Sequence, residues 1–212
     1  MRLLITAGPT REPIDAVRYI SNRSSGRLGI ALAQAATQAG HDVTLLLGPV
    51  LCHSSLTDRA KVHRFETCAE LADLLATHFS DCDMLIMAAA VADYRPLHRA
   101  AGKLARGDEA HLNLQLEPTP DLVAAVARDK RDDQRILAFA LEDPASLETR
   151  ALNKMARKGV DAIVANPLGT MESDTITPIL LTAGGQRRTP PSETALAKTA
   201  FASWLIEQLA EL

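Results

Sequence analysis

Short apolar runs, each about one strand long, alternate along this chain with stretches patterned for helix, and this alternation limits the fold more than any other feature. Residues 3–7 read as a buried strand, and residues 28–39, rich in Ala and Leu, as a helix that stops at Gly40, a common C-terminal signal. Residues 42–47 form a second strand and "KVHRFE" (61–66) a third. Thr67 and Glu70 stand at capping-box spacing and open a helix running towards Phe79. "DMLIMAA", "RILAFA" and "DAIVAN" supply further strands, with helical stretches at 121–129 and 145–158 between them. Parallel strands need crossover connections, and helical crossovers cover both faces of the sheet. The expected class is therefore α/β, a Rossmann-like doubly wound, mostly parallel sheet.

Some segments depart from this rule. "HLNLQLEP" (111–118) alternates polar and apolar residues, and "TPILLTAGGQRRTP" (177–190) places two extended pieces about a Gly-Gly turn. Both read as antiparallel. The apolar piece at 179–182 suits an arm that projects from the sheet and is covered by a second subunit, or equally a hairpin packed on its own domain. Residues 193–209 read as an amphipathic helix on the outside of the sheet. No repeat, low-complexity tract or linker interrupts the pattern, so one domain across residues 1–212 is expected, with 47% hydrophobic residues to fill its core.

The net charge of −3 comes with scattered lysines and arginines, which argues against nucleic acid or an anionic membrane and for a small-molecule partner. Cys52, Cys68 and Cys82 lie far apart without a C-x-x-C, and the six histidines are dispersed, so neither a disulfide framework nor a protein-held metal is expected. The run that opens the chain is too short for a signal sequence or a bilayer span, and the longest later apolar run, 84–92, is strand-sized. A soluble cytoplasmic protein is the expectation.

"TAGPT" ends the first strand, and "SNRSSGRLG" (21–29) leads into the first helix. Doubly wound sheets bind ligands beyond the carboxyl ends of their strands, and phosphates favour the free N–H groups of a helix start. Ser24, Ser25 and Gly26 offer donors there, with Gly26 and Gly29 permitting close approach; a purely structural tight turn would use the same residues. The insert at 11–22 is too long for a G-x-G-x-x-G turn, and the second strand ends in "LLLGP" with no acid for a ribose, which disfavours plain NAD binding. Neither a Walker A pattern nor a G-x-S-x-G elbow occurs. From the residues alone a nicotinamide-dependent oxidoreductase and a non-catalytic nucleotide-binding module remain open.

"ITAGPTREPIDAVRYISNRSSGRLG" resembles the signature of the phosphopantothenoylcysteine synthetase (phosphopantothenate cysteine ligase) family. The likeness continues in "AAAVADYRP", "GKLARGDE", "PTPDLVAAVA", "AFALED" and "NKMARKGVDAIVANP" followed by "ESDT", in the family's order and over nearly the whole chain. In many bacteria this domain follows a fused flavin-dependent decarboxylase; the chain resembles the synthetase domain on its own. The resemblance implies a two-step ligation in coenzyme A assembly. A nucleoside triphosphate, CTP in most bacterial members and ATP in eukaryotic ones, activates the phosphopantothenate carboxylate as an acyl nucleotidylate with release of pyrophosphate. The cysteine amine then displaces the nucleoside monophosphate. Mg²⁺ on the triphosphate and a homodimer are implied as well.

The same resemblance assigns residues. Asn22 matches a functional asparagine whose neutral amide suits donation to an acyl oxygen, although Asn is also an ordinary turn residue. Lys103, ten residues beyond Asp93, matches a mobile-flap lysine that meets growing phosphate charge; a solvated loop lysine is the alternative. Nucleotide contacts fall on Gly8, Ser24, Ser25 and Gly26, then on Met87, Ala88 and Ala89 at a strand tip, and on Asp93. Pro120, Asp121, Leu122 and Val123 open a helix whose amides meet base or phosphates, Phe139 lies beside the nucleotide, and Lys154 and Lys158 share one helix face towards the triphosphate. Each has a plain structural alternative, as core, cap or wet surface. Arg18 and Ala90 join Asn22 as substrate contacts, Arg18 by reaching the phosphopantothenate phosphate across a dimer interface. The chain departs from the pattern at Ala105 and Arg106, where further lysines are common, at 175–177, and at Met171 in place of a frequent aromatic.

Overall fold

The computed structural model describes residues 1–50, 60–106, 111–171, 173–192 and 194–212. Cys52, the end of "GKLARGDE", Glu172 of "ESDT" and Glu193 lie outside the described residues. In chain order the first half contains β1 (Arg2–Ala7), β2 (Arg11–Pro13), β3 (Tyr19–Ser21), α1 (Arg27–Gln38), β4 (Asp42–Leu47), β5 (Lys61–Arg64), α2 (Cys68–His78), β6 (Met84–Met87) and β7 (Tyr94–Pro96). The second half contains β8 (Leu116–Pro118), α3 (Leu122–Arg128), β9 (Arg135–Glu142), α4 (Leu147–Lys158), β10 (Ala162–Pro167), β11 (Thr175–Ile176), β12 (Ile179–Thr182), β13 (Arg187–Arg188), β14 (Leu196–Ala197) and α5 (Lys198–Gln208). Among the described residues, no helix is long and apolar enough to cross a membrane.

An eight-stranded sheet in the order β13-β12-β10-β9-β6-β1-β4-β5 forms the centre. The six strands from β10 to β5 pair in parallel. From β1 the chain steps outward through β4 to β5, then returns to lay β6 on the other side of β1 and steps away through β9 and β10. The order therefore reverses between β1 and β6. Connections diverge there and leave a crevice at the carboxyl ends, the usual ligand position of such sheets.

Strand side chains alternate between two cores. Leu3, Ile5, Val43, Leu45 and Ile86 pack with Ile30, Leu32, Phe201 and Leu205 of α1 and α5 on one face. Leu4, Leu46, Leu85 and Ile163 pack with Leu71, Leu75, Leu122 and Met155 of α2, α3 and α4 on the other. The capping box forms as its spacing predicts: Thr67 Oγ1 accepts from the Glu70 amide at 3.2 Å, and the Glu70 carboxylate accepts from the Thr67 amide at 3.4 Å.

The segments outside the alternation are settled by pairing. The 177–190 piece does not project: β12 pairs antiparallel with β10 and carries Leu180 and Leu181 into the core, with β13 as the next strand. The hairpin thus packs on its own domain and gives no support to a second subunit. Helix α5 starts at Lys198, because Leu196–Ala197 pairs with Thr175–Ile176; a local backbone pairing overrides the helix-forming composition of that stretch. Of 111–118 only Leu116–Pro118 is strand, paired with Tyr94–Pro96. The insert at 11–22 folds as the β2–β3 hairpin, turned by Asp15, whose Oδ1 accepts from the Val17 and Arg18 amides at 2.8 and 2.7 Å.

Candidate active site

The site is built where β1 and β6 end. Their pairing continues beyond both strands: the Gly8 carbonyl accepts from the Ala90 amide at 2.9 Å, and the Thr10 amide donates to the Ala90 carbonyl at 3.2 Å. Threonines pin the loop that follows β6. Thr6 Oγ1 accepts from the Ala89 amide at 3.0 Å, Thr10 Oγ1 from the Ala92 amide at 3.0 Å, and Thr119 Oγ1 donates to the Ala92 carbonyl at 2.5 Å. Asn22 Nδ2 donates to the Val91 carbonyl at 2.9 Å, so the "SNRSSGRLG" loop is tied to the same segment.

Glycines bring the start of α1 against the end of β1. A Cβ on Gly29 would stand 2.4 Å from Ala7 Cβ, and Gly26, at φ +72°, would place one 2.6 Å from Val50 Cγ1. The close approach expected of these glycines is therefore made by the chain to itself, and both also face the crevice. The first hydrogen bond inside α1 runs from the Ile30 amide to the Gly26 carbonyl at 3.0 Å, so the amides of Leu28 and Gly29 precede the intrahelical ladder. No acidic side chain stands in the first turn of α1, and no side chain caps it. The geometry favours an anion.

A cavity of about 850 Å³ opens over these ends, at the large end of the range for small-molecule sites. Asn22, Ser24, Ser25 and Gly26 form one part of its wall; Met87, Ala88, Ala89, Ala90 and Asp93 form the next. Pro120, Asp121, Leu122 and Val123 at the start of α3, with Phe139 of β9 and Lys154 and Lys158 of α4, line it too. Three expected residues do not line it. Gly8 lies beneath Gly26, its Cα 3.3 Å from where a Gly26 Cβ would be. Arg18 sits on the β2–β3 turn, where Nε and Nη2 donate to Asp15 Oδ2 at 3.0 and 2.5 Å and Nη2 also donates to the Leu104 carbonyl at 2.9 Å. Lys103, next to Leu104, is exposed and stands outside the lining.

The α4 lysines are held in place. Lys154 Nζ donates to the Phe139 carbonyl at 3.2 Å; burial, reinforced by the charge of Lys158, lowers its pKa from the ordinary lysine value. Lys158 Nζ donates to Asp121 Oδ1 at 2.9 Å, and that oxygen also accepts from the Ala124 amide at 3.1 Å, capping α3. Burial pushes the Asp121 carboxyl up, but the Lys158 hydrogen bond and the Ala124 amide outweigh it and hold the carboxyl below its usual value.

Among the wall residues that sequence reasoning did not single out are Asn166 and Lys198. Asn166 is 5% exposed at the carboxyl end of β10, and its Oδ1 is buried without a hydrogen-bond partner. A polar residue ending an otherwise apolar strand, "DAIVAN", was the available signal. Lys198 begins α5, far along the chain from every motif, and had none. Among the described residues no group of His, Cys, Asp and Glu side chains could hold a metal ion.

Residues 1–212 match the family described as the DNA/pantothenate metabolism flavoprotein C-terminal domain. The chain belongs to that family. A relative from Mycobacterium tuberculosis (strain ATCC 25618 / H37Rv), named Coenzyme A biosynthesis bifunctional protein CoaBC, is 38% identical over 224 residues, covering 98% of this chain and 51% of its own length. A protein from an unknown prokaryotic organism, named cysteine/cysteine sulfinic acid decarboxylase, is 45% identical over 167 residues, or 79% of this chain and 46% of that protein. The chain spans about half the length of these curated relatives. A crystal structure of the C-terminal domain of a CoaBC protein superposes with TM-score 0.81 at 30% identity, covering 99% of this chain and 94% of that one. The fold described above is thus shared with that domain.

Proposed function

We propose that this domain joins 4′-phosphopantothenate to L-cysteine through an acyl nucleotidylate, in the cytoplasm, with CTP as the nucleotide and ATP as the alternative. The observation that carries the reading is the convergence of the family's motif residues on one cavity that is anion-favouring at the start of α1 and cationic at α4. The name of the CoaBC relatives points to the same pathway. An oxidoreductase fits less well: β4 ends at Leu47, and among the described residues that follow it, 48–50, there is no carboxylate for a ribose.

In this reading the triphosphate lies between the amides of α1 and the ammonium groups of Lys154 and Lys158. A phosphopantothenate carboxylate oxygen attacks the α-phosphorus, and the bond to pyrophosphate breaks. The neutral cysteine amine then adds to the acyl carbon, the bond to the nucleotide oxygen breaks, and the amine loses a proton. Asn22, already anchored on Val91, would hold the acyl oxygen. Lys103 would reach the phosphate by movement of the segment that carries it. Mg²⁺ suits this wall as an ion carried mainly by the phosphates, because Asp121 is engaged by Lys158 and Glu142 by Arg150 at 3.5 Å, which leaves Asp93 as the remaining wall carboxylate among the described residues. It would neutralise charge on the triphosphate.

A homodimer belongs to the proposal, on a different surface from the 177–190 hairpin. Val17 (61% exposed), Tyr19, Tyr94, Leu112 and Leu116 leave apolar side chains in solvent along the β2–β3 and β7–β8 hairpins. A second copy covering them would bury the turn that bears Arg18, so that Arg18 could serve the partner's site. The test of the function is pyrophosphate and nucleoside monophosphate release with phosphopantothenate, cysteine and Mg²⁺, each triphosphate in turn. Release that depends on phosphopantothenate and favours one triphosphate is expected; equal hydrolysis without phosphopantothenate overturns the reading.

A further inference from the structure

The cavity has a second cationic wall that no motif announces. Helix α5 packs with α1 on the face of the sheet opposite α4, and its first residue, Lys198, lines the cavity from that side. Asp174 ties the two helix starts together: its carboxylate pairs with Arg27, the first residue of α1, and its carbonyl accepts from the Lys198 amide at 3.0 Å. The Lys198 ammonium is half-buried, with a long contact of 3.4 Å to the Thr170 carbonyl. Burial, then the positive charge of Arg27, lowers its pKa from the ordinary lysine value.

The neighbourhood is poor in negative charge. Neither α1 nor α5 has an acidic residue in its first turn, and neither has a side-chain cap. Two positive helix ends, a guanidinium and an ammonium are thus drawn together around one carboxylate. Such an arrangement costs free energy in the empty protein and is relieved by a bound anion. Asn166, whose buried Oδ1 lacks a partner on the same cavity, offers an acceptor to a donor group of a ligand, away from its phosphates.

We propose that Lys198 binds the phosphate chain of the nucleoside triphosphate, clamping it together with the α1 amides against the α4 lysines. The inference rests on the functional reading above and adds a binding residue to it. Unlike Lys154 and Lys158, Lys198 is brought to the site by the C-terminal helix, so loss of that helix would remove part of the triphosphate site.

The experiment is calorimetric titration of the full chain with α,β-methylene CTP and with α,β-methylene ATP in Mg²⁺, without phosphopantothenate. A charge-assisted hydrogen bond supports a loss of about 10- to 100-fold in affinity for Lys198→Met and Lys198→Gln. Lys198→Arg should stay close to wild type, and the KM for cysteine should not move in any variant. Circular dichroism confirms folding, and Lys198→Gln, which keeps a polar group at the start of α5, serves if the Met variant unfolds. Wild-type affinity retained in folded Lys198→Gln overturns the inference alone. Wild-type protein that binds neither analogue overturns the functional reading and the inference together.

Discussion

Lys154 and Lys158 stand on a helix and Lys103 on a loop, and the structure treats them differently. The helical pair already faces the cavity, one ammonium on the Phe139 carbonyl and the other on Asp121. Lys103 is exposed outside it, beside a residue, Leu104, whose amide donates to Asp15 Oδ2 at 3.1 Å and whose carbonyl accepts from Arg18. A lysine held before the ligand arrives contributes to binding in ground state and transition state alike. One that arrives by loop movement can act mainly on the reaction step. The difference between the regions is therefore a difference in which kinetic quantity each residue should control.

The largest effect is expected from Lys103→Gln. Removing one electrostatic contact to developing charge costs about 100- to 1,000-fold in rate. Single-turnover pyrophosphate release without cysteine should nearly vanish while the affinity for a non-hydrolysable triphosphate holds. A matched loss of affinity would break the comparison. Lys158→Met should show the converse, a loss of about 10-fold in triphosphate affinity with a smaller change in the rate at saturation. It also takes the ammonium away from Asp121, which keeps the Ala124 amide, so the carboxyl should titrate higher than in the wild type, which NMR can follow.

The smallest effect on activity is expected from Asp15→Asn, which loosens the clasp beside Lys103 without touching the cavity. Asp15 is held well below the usual carboxylate range, first by the Arg18 side chain, against a desolvation cost, and then by the backbone amides of Arg18, Val17 and Leu104. A depressed carboxyl stabilises the fold above its unfolded pKa, about 4, and that contribution is lost as pH falls towards the folded value. Asp15→Asn should accordingly lower the thermal midpoint at pH 7, and its difference from wild type should shrink below about pH 4. A constant difference across that range would show that the charge is not what holds the clasp.

Much of the site was legible because it is local. The capping box, the strand ends and the Gly/Ser loop before α1 are written in consecutive residues, and Asn22, Ser24, Ser25 and Gly26 line one cavity with Asp93 and Pro120–Val123. Local patterning failed where a second strand chose the outcome. Residues 194–197 have helix-forming composition yet stay out of the helix, Leu196–Ala197 pairing with Thr175–Ile176, and the apolar 179–182 piece reads equally as an arm or a hairpin packed on its own domain until β10 is beside it. Arg18 and Lys103 carry motif positions, but the clasp that holds them away from the cavity depends on Asp15 and Leu104 being neighbours in space, which their separation along the chain does not reveal.

By itself, the sequence determined the class of fold, through strand-length apolar runs separated by helical periods, and the chemistry of the β1–α1 loop, because both follow from short-range sterics and hydrogen bonding. Only the tertiary structure decided that the sheet reverses between β1 and β6, that α4 and α5 approach the crevice from opposite faces, and that Lys198 and the unpartnered Asn166 line the cavity. Those facts depend on which elements pack together to bury apolar surface, a property of the whole chain that no short run of residues carries.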